Sequence, residues 1–435
     1  MILYEVAKAV QRRGFLKAAA GAAGAATLPL SACGDGSGGG EVTLRVVAAE
    51  YGTGESDTSR RYWEQLAAKF SNQASGISVD IEIIPWEDID AKVDKMVQDG
   101  NPPDIAQMGP YAEYSARDML YPIDELLSIP TQANFVPSLA AAGEVNRVQY
   151  GMPFVSSSRL LFFNKTLFEA AGLDPDPENA PQDWDELLDV AQALKDTGVK
   201  IPYALPLGPE EAQGETLMWM ISGGGAYTDD VGSYTIDSEQ NIHTFNWIRD
   251  NLVGAGLTYA APSETNRRTA FDDFVKGDVG MIFGHPTLMQ DLRRAKVDFG
   301  IALKLPGRNG PAQSTMGVAD WVMAFKANGH RSEVGQFLDY VFEDTNVLKF
   351  AQRYDLLPTT VSGVEELSRG RKDLQPFLDQ LQTATFYPDN KTSWARVNAE
   401  LKKQIGKAAE SGGEAPERVL TNLQSIAETA STTEE

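Results

Sequence analysis

The chain has 435 residues, with 61 acidic side chains against 38 basic ones and a formal charge of −23 at pH 7. A surface that acidic repels phosphate backbones and anionic headgroups, which excludes nucleic acid as an expected partner. A single cysteine rules out a disulfide scaffold, so a chain of two-domain length must fold on apolar burial alone.

The N-terminus carries the first motif. Arg12-Arg13-Gly14-Phe15-Leu16-Lys17 is a twin-arginine pair ahead of a mildly apolar run from Ala18 to Leu30, and Leu30-Ser31-Ala32-Cys33 closes it. This order of basic, apolar and small residues reads as a signal peptide, too short and too rich in Ala and Gly for a membrane span. Either the twin-arginine or the general export route fits it. Leu-Ser-Ala-Cys resembles the lipobox of bacterial lipoproteins, which implies a diacylglyceryl thioether on Cys33 after cleavage. Gly34-Asp35-Gly36-Ser37-Gly38-Gly39-Gly40 cannot pack a core and reads as a flexible tether. The expected location is the extracytoplasmic face of the cell membrane, with the chain held there by lipid.

Strand and helix patterns alternate beyond the tether. Val42, Leu44 and Val46 alternate with polar residues, and Tyr62, Trp63, Leu66, Ala67 and Phe70 follow helical spacing. Ile77, Val79, Ile81 and Ile83 alternate again, Ile89, Val93, Met96 and Val97 return to helical spacing, and Asn101-Pro102-Pro103 breaks the pattern before Asp104–Met108. This β-α-β-α-β order predicts parallel strands with right-handed crossovers and a ligand at their carboxyl ends. Those ends are Ala49-Glu50-Tyr51 and Met108-Gly109-Pro110-Tyr111. Apolar runs at 160–163, 279–283, 299–303 and 321–325 read as later strands. Gly223-Gly224-Gly225 reads as a turn, the part from Ser332 on as mostly helical, and the Ser431–Glu435 tail as disordered.

Several short motifs recur in a known order: Trp86-Glu87-Asp88, Asn101-Pro102-Pro103-Asp104-Ile105, Gly151-Met152-Pro153 with Phe163-Asn164-Lys165-Thr166-Leu167-Phe168, Trp184-Asp185-Glu186-Leu187-Leu188, Phe274–Met281 and Leu356-Leu357-Pro358-Thr359. Together, over about residues 42–410, they resemble the extracellular solute-binding proteins of carbohydrate ABC importers, the group that includes maltose-binding protein. The resemblance implies an α/β periplasmic-binding-protein-like fold, with two lobes on parallel-dominated sheets joined by a multi-strand hinge. Lobe one would hold 41–153 and 303–345, and lobe two 154–302 and 346–435. Val155–Arg159 would be the first crossing and Phe299–Leu303 the second.

A sugar offers apolar C–H faces and a rim of hydroxyls, so its site needs aromatic planes and forked polar groups shielded from water. By resemblance, Trp394 in Lys391-Thr392-Ser393-Trp394-Ala395-Arg396 is the ring-stacking tryptophan, with Arg396 beside it. Asp320 and Trp321 stand at a strand end that lines the cleft in relatives. Ser156-Ser157-Ser158 stand where many relatives carry an acid, a departure that bears on ligand identity, and Arg159 next to them is read as structural. His285 and Thr287 replace the aromatic of an Asn-Gly-Pro-Trp pattern. Glu215 and Trp219 precede the glycine turn, where relatives contact sugar. Glu50, Tyr51, Pro110 and Tyr111 are strand-end candidates, and Tyr354 precedes Leu357-Pro358.

Enzyme motifs are absent: there is no Gly-x-Ser-x-Gly, no His-Glu-x-x-His and no phosphate loop, and three histidines show no metal-ligand spacing. The expectation is therefore a non-enzymatic monomer without cofactor or metal. It would take a mono- or oligosaccharide and pass it to membrane permease subunits. A polyamine or glycerophosphodiester carrier of the same fold, a surface carbohydrate hydrolase and a sensor lipoprotein are the alternatives.

Overall fold

The structure, a computed structural model, describes residues 41–52 and 58–432. The expected signal peptide, Cys33, the glycine-rich tether and the last three residues lie outside the described residues. Among the described residues no helix is long and apolar enough to cross a membrane.

The alternating segments become strands. In chain order they are β1 (Val42–Glu50), β2 (Ile77–Pro85), β3 (Ile105–Met108), β4 (Glu144–Val145), β5 (Val148–Gln149), β6 (Met152–Ser158), β7 (Leu160–Asn164), β8 (Ile201–Ala204), β9 (Val279–Gly284), β10 (Phe299–Ile301) and β11 (Gly317–Ala324). Two sheets use nine of them, in the orders β2-β1-β3-β11-β6 and β10-β7-β9-β8, while β4 and β5 form a separate hairpin. β1 runs parallel to both β2 and β3, as the β-α-β-α-β pattern predicts. β11 then pairs antiparallel with β3 and β6, and β7 pairs antiparallel with β9 and β10. The sheets are thus more mixed than the parallel-dominated ones expected. The reason is that β11 is inserted between β3 and β6 from far along the chain, so no single crossover fixes its direction.

Burial follows the residue pattern. Val46, Val47, Ala48 and Ala49 of β1 are all buried because helices cover both faces of a central strand. Tyr62, Trp63, Leu66, Ala67 and Phe70 form the buried stripe of helix Arg60–Gln73. In the second half, Trp184, Trp219 and Trp247 meet in one aromatic cluster with ring centroids 4.8–5.9 Å apart. The C-terminal helix, Pro416–Thr432, runs on through Ser431 and Thr432, where the sequence suggested a disordered tail. The Thr432 hydroxyl donates to Thr429 O at 3.0 Å and holds that last turn.

Two connections position the site. β6 belongs to the first sheet and β7 to the second, and Arg159 is the only residue between them. The second passage was expected over Phe299–Leu303, but Phe299–Ile301 is still paired with β7. The chain instead returns to the first sheet over residues 302–316. In β11 the register shifts between Asp320, opposite Val155, and Trp321, opposite Pro153. This bulge leaves Phe154 without a counterpart and redirects two consecutive side chains, as bulges beside binding sites commonly do.

Candidate functional site

Polar side chains from both sheets converge around one cavity of 280 Å³. Tyr51, just past β1, and Tyr354 line it from one side; Glu211, Arg267, Phe271 and His285 line it from the other. Hollows of 440 and 450 Å³ elsewhere are lined by loop backbone around Gly223–Gly225 and by apolar residues around Val136 and Val361. Neither draws together buried charged groups, so size does not decide the site.

On the first-sheet side Tyr51 is fixed in three directions. Its hydroxyl donates to Asp320 Oδ2 at 2.6 Å and accepts from Gln107 Nε2 at 2.8 Å, while Gln107 Oε1 accepts from Ala49 N at 3.0 Å. Its ring stands edge-on to Trp86 and Phe350, with centroids 5.4 and 4.9 Å away. Among the described residues no cation pairs with Asp320, and burial pushes its carboxyl up to about 6 against the Tyr51 hydrogen bond. Trp321, fully buried, packs on Tyr111 at 5.3 Å and donates from Nε1 to Asp389 Oδ2 at 3.2 Å. Burial pushes the Asp389 carboxyl up to about 7, although the indole donors of Trp321 and Trp394 favour the charged form. A 40 Å³ cavity beside it is lined by Pro110, Tyr114, Asp389, Lys391 and Trp394.

The second-sheet side is an ion network. Glu211, at the N-terminal end of helix Ala212–Ser222, pairs with Arg159 and lies 2.5 Å from Arg267 Nε. Burial alone raises the Glu211 carboxyl, but Arg159 and Arg267 outweigh it and hold it down to about 2. One helical turn on, Glu215 accepts from Arg267 Nη2 at 3.0 Å and from Tyr203 and Trp219 at 3.2 Å each. Arg267 also donates to Phe283 O at 3.1 Å. His285 lies against this network; burial and the neighbouring Arg159 push it down to about 3, so its ring is neutral, with Nδ1 2.5 Å from Thr287 Oγ1. Opposite charges held at hydrogen-bond distance are how a protein tolerates charge this far from water.

The structure therefore brings Tyr51, Tyr354 and His285 to the cavity, with Asp320 behind Tyr51, and Pro110 and Trp394 to the 40 Å³ cavity. Trp394 is only 3 % exposed, at the start of helix Trp394–Gln404, between the rings of Tyr227 and Tyr387 at 5.5 Å each. Other candidates have structural tasks. Glu50 accepts from Gly52 N, Ser59 N and the Thr58 hydroxyl, closing the turn into helix Arg60–Gln73. The Ser156 and Ser158 hydroxyls donate to Leu357 O and Phe377 O at 3.3 and 2.8 Å, while Ser157 is partly exposed. Tyr111 donates to Ala142 O at 2.6 Å. Trp219 is a core residue, fully buried among Trp184, Tyr203 and Phe283, and Glu215, also fully buried, serves the ion network behind the cavity wall. Arg396 faces solvent from the outer side of its helix.

Sequence reasoning missed Glu211, Arg267, Asp389, Gln107 and Tyr387. Their only local signals are a Glu210-Glu211 pair before a helix, Asn266-Arg267-Arg268 after a turn and Tyr387-Pro388-Asp389-Asn390, and each reads as ordinary surface.

A family profile described as "Bacterial extracellular solute-binding protein" matches residues 54–347. A binding protein of Brucella abortus is 24% identical over 352 residues, covering 79% of this chain and 83% of that one. The sn-glycerol-3-phosphate-binding periplasmic protein UgpB of Escherichia coli is 26% identical over 242 residues, 53% of each chain. Among solved structures, the fold is shared with an ABC transporter solute-binding protein from Thermotoga lettingae bound with α-D-tagatose. Its TM-score is 0.74 at 19% identity, over 90% of this chain and 100% of that one. The GacH receptor of Streptomyces glaucescens, solved unliganded and with acarbose, superposes with a TM-score of 0.75 at 18% identity over 90% and 99% of the two chains.

Proposed function

The chain belongs to the bacterial extracellular solute-binding protein family, and from that premise we propose that it captures a mono- or oligosaccharide for an ABC importer. The observation that carries this reading is the 280 Å³ cavity between the sheets, where two tyrosine rings face a fixed set of hydrogen-bonding groups. Aromatic faces suit sugar C–H surfaces, and Glu211 and His285 suit a rim of hydroxyls. Tagatose and acarbose in fold relatives agree with such a ligand.

In this reading the parts built on the two sheets are the two lobes, and they close on the solute about the strands beside Arg159. Export through the Arg12-Arg13 signal and lipidation at Cys33 keep a monomer on the outer face of the membrane, within reach of its permease. No bond of the ligand is broken. A micromolar Kd corresponds to about −8 kcal/mol.

The test is a thermal-shift screen over neutral sugars, polyamines and phosphorylated solutes. A sugar at 100 times its Kd stabilises the protein by about 2.7 kcal/mol. A panel in which only cationic or phosphorylated compounds shift the melting point overturns the sugar assignment, and cleavage of an oligosaccharide overturns the non-enzymatic one. The second reading, a glycerol-phosphate carrier, is favoured by the UgpB match alone.

A further inference from the structure

Three polar ends meet over one bare helix position. Arg159 is 2 % exposed and spends one nitrogen on Glu211, while its Nε and Nη1 have no partner among the described residues. The Tyr387 hydroxyl is likewise buried and unpartnered. Both lie at Gly214, in the first turn of helix Ala212–Ser222. A Cβ on that residue would stand 2.8 Å from Tyr387 Oη, 3.1 Å from Arg159 Nη1 and 3.1 Å from Glu211 Oε1. Buried donors are almost always matched in folded proteins, and an orphaned set beside a binding cavity points to an acceptor that arrives with the ligand.

Resting on the sugar reading, we propose that Arg159 and Tyr387 form a hydrogen-bonding subsite for a hydroxyl of the ligand, and that the cleft rejects phosphorylated solutes. The charge layout decides between neutral and anionic guests. Arg159 and Arg267 are already matched by Glu211 and Glu215, so the network offers donors without spare positive charge. Asp320 and Asp389 carry no cation partner, and their hydrogen bonds come from Tyr51 and Trp321. Arg268 and Arg294, the other cations of the cavity wall, pair with Asp272 and Asp291, so an anion would meet no unmatched cation there. A hydroxyl there can accept from Arg159 and Tyr387 and donate to Glu211. Gly214 lets these polar ends come close to the helix, since any side chain there would press against Tyr387 and Arg159.

The experiment is calorimetric titration of the full chain with maltose, mannobiose, tagatose and the sugar giving the largest thermal shift, alongside glycerol 3-phosphate and inorganic phosphate. The expected result is binding of at least one sugar and no heat with either phosphate compound. Tyr387→Phe should bind the same sugar about 5- to 10-fold more weakly, the effect of one hydrogen bond, without lowering the melting point of the free protein. Gly214→Ala should lose affinity by at least as much. If the sugar binds and both variants hold it as tightly as the parent, a buried water fills the place and this inference falls while the sugar reading stands. If a phosphate compound binds better than every sugar, or no sugar binds, both fall.

Discussion

Trp321 Nε1 donates to Asp389 Oδ2 across 3.2 Å, linking strand β11 of the first sheet to the segment that leads into helix Trp394–Gln404. The partners are 68 residues apart in sequence, and the carboxyl they share with the cavity wall is held without a cation. That pairing makes the protein sensitive to pH in an unusual direction.

Asp389, Asp320 and Asp90 have carboxyls raised by burial to about 7, 6 and 6, from an ordinary 3.8. Between about pH 4 and 7 the folded chain therefore binds more protons than the unfolded one, and stability falls as pH rises through that window. The melting point of the free protein should drop from pH 5 to pH 8, and Asp389→Asn should flatten part of that slope. An unchanged slope in the variant would mean that Asp389 is ionised across the range.

Glu211 holds two buried guanidinium groups. Glu211→Ala leaves Arg159 and Arg267 facing each other with only Glu215 to balance them, and should cost about 3–5 kcal/mol in urea unfolding. Glu211→Gln, which keeps the acceptor oxygen, should cost less. Equal costs for the two would show that the charge contributes nothing.

Tyr51→Phe removes the hydroxyl that donates to Asp320 and accepts from Gln107 Nε2. Leaving these buried groups unmatched should destabilise the fold by about 1–3 kcal/mol. It should also push the Asp320 carboxyl further up, since the Tyr51 bond favours the ionised form. Denaturation at pH 5 and pH 8 checks both: the cost should be larger at pH 8, where Asp320 must carry charge.

Trp394 and Arg396, two residues apart, should behave oppositely. Trp394→Ala empties a space between Tyr227 and Tyr387 and should cost about 3–5 kcal/mol. Arg396→Ala, on the solvent side of the same helix, should stay within about 0.5 kcal/mol in stability. Chemical denaturation of the two variants decides whether burial or motif position governs this stretch.

The strands β1, β2 and β3 and the helices between them could be read from periodicity, because residues such as Leu44, Val46 and Ile105 face a core that repeats the pattern. Tyr51 could be located because it follows a strand end, whereas Asp320, expected at a strand end by resemblance, stands in the middle of β11. The ion network could not: Arg159, Glu211 and Arg267 are far apart in sequence, and charged residues look like surface until tertiary packing buries them together. Ser156 and Ser158 show what tertiary packing adds. Small polar residues at a crossing suggest ligand contact, yet their hydroxyls are taken by the Leu357 and Phe377 carbonyls.

Since Arg159 alone spans from β6 to β7, its backbone torsions cannot be relieved by neighbouring linker residues. Its guanidinium pairs with Glu211 in the cavity wall, so the one-residue passage between the sheets also carries one of the groups that fix that wall.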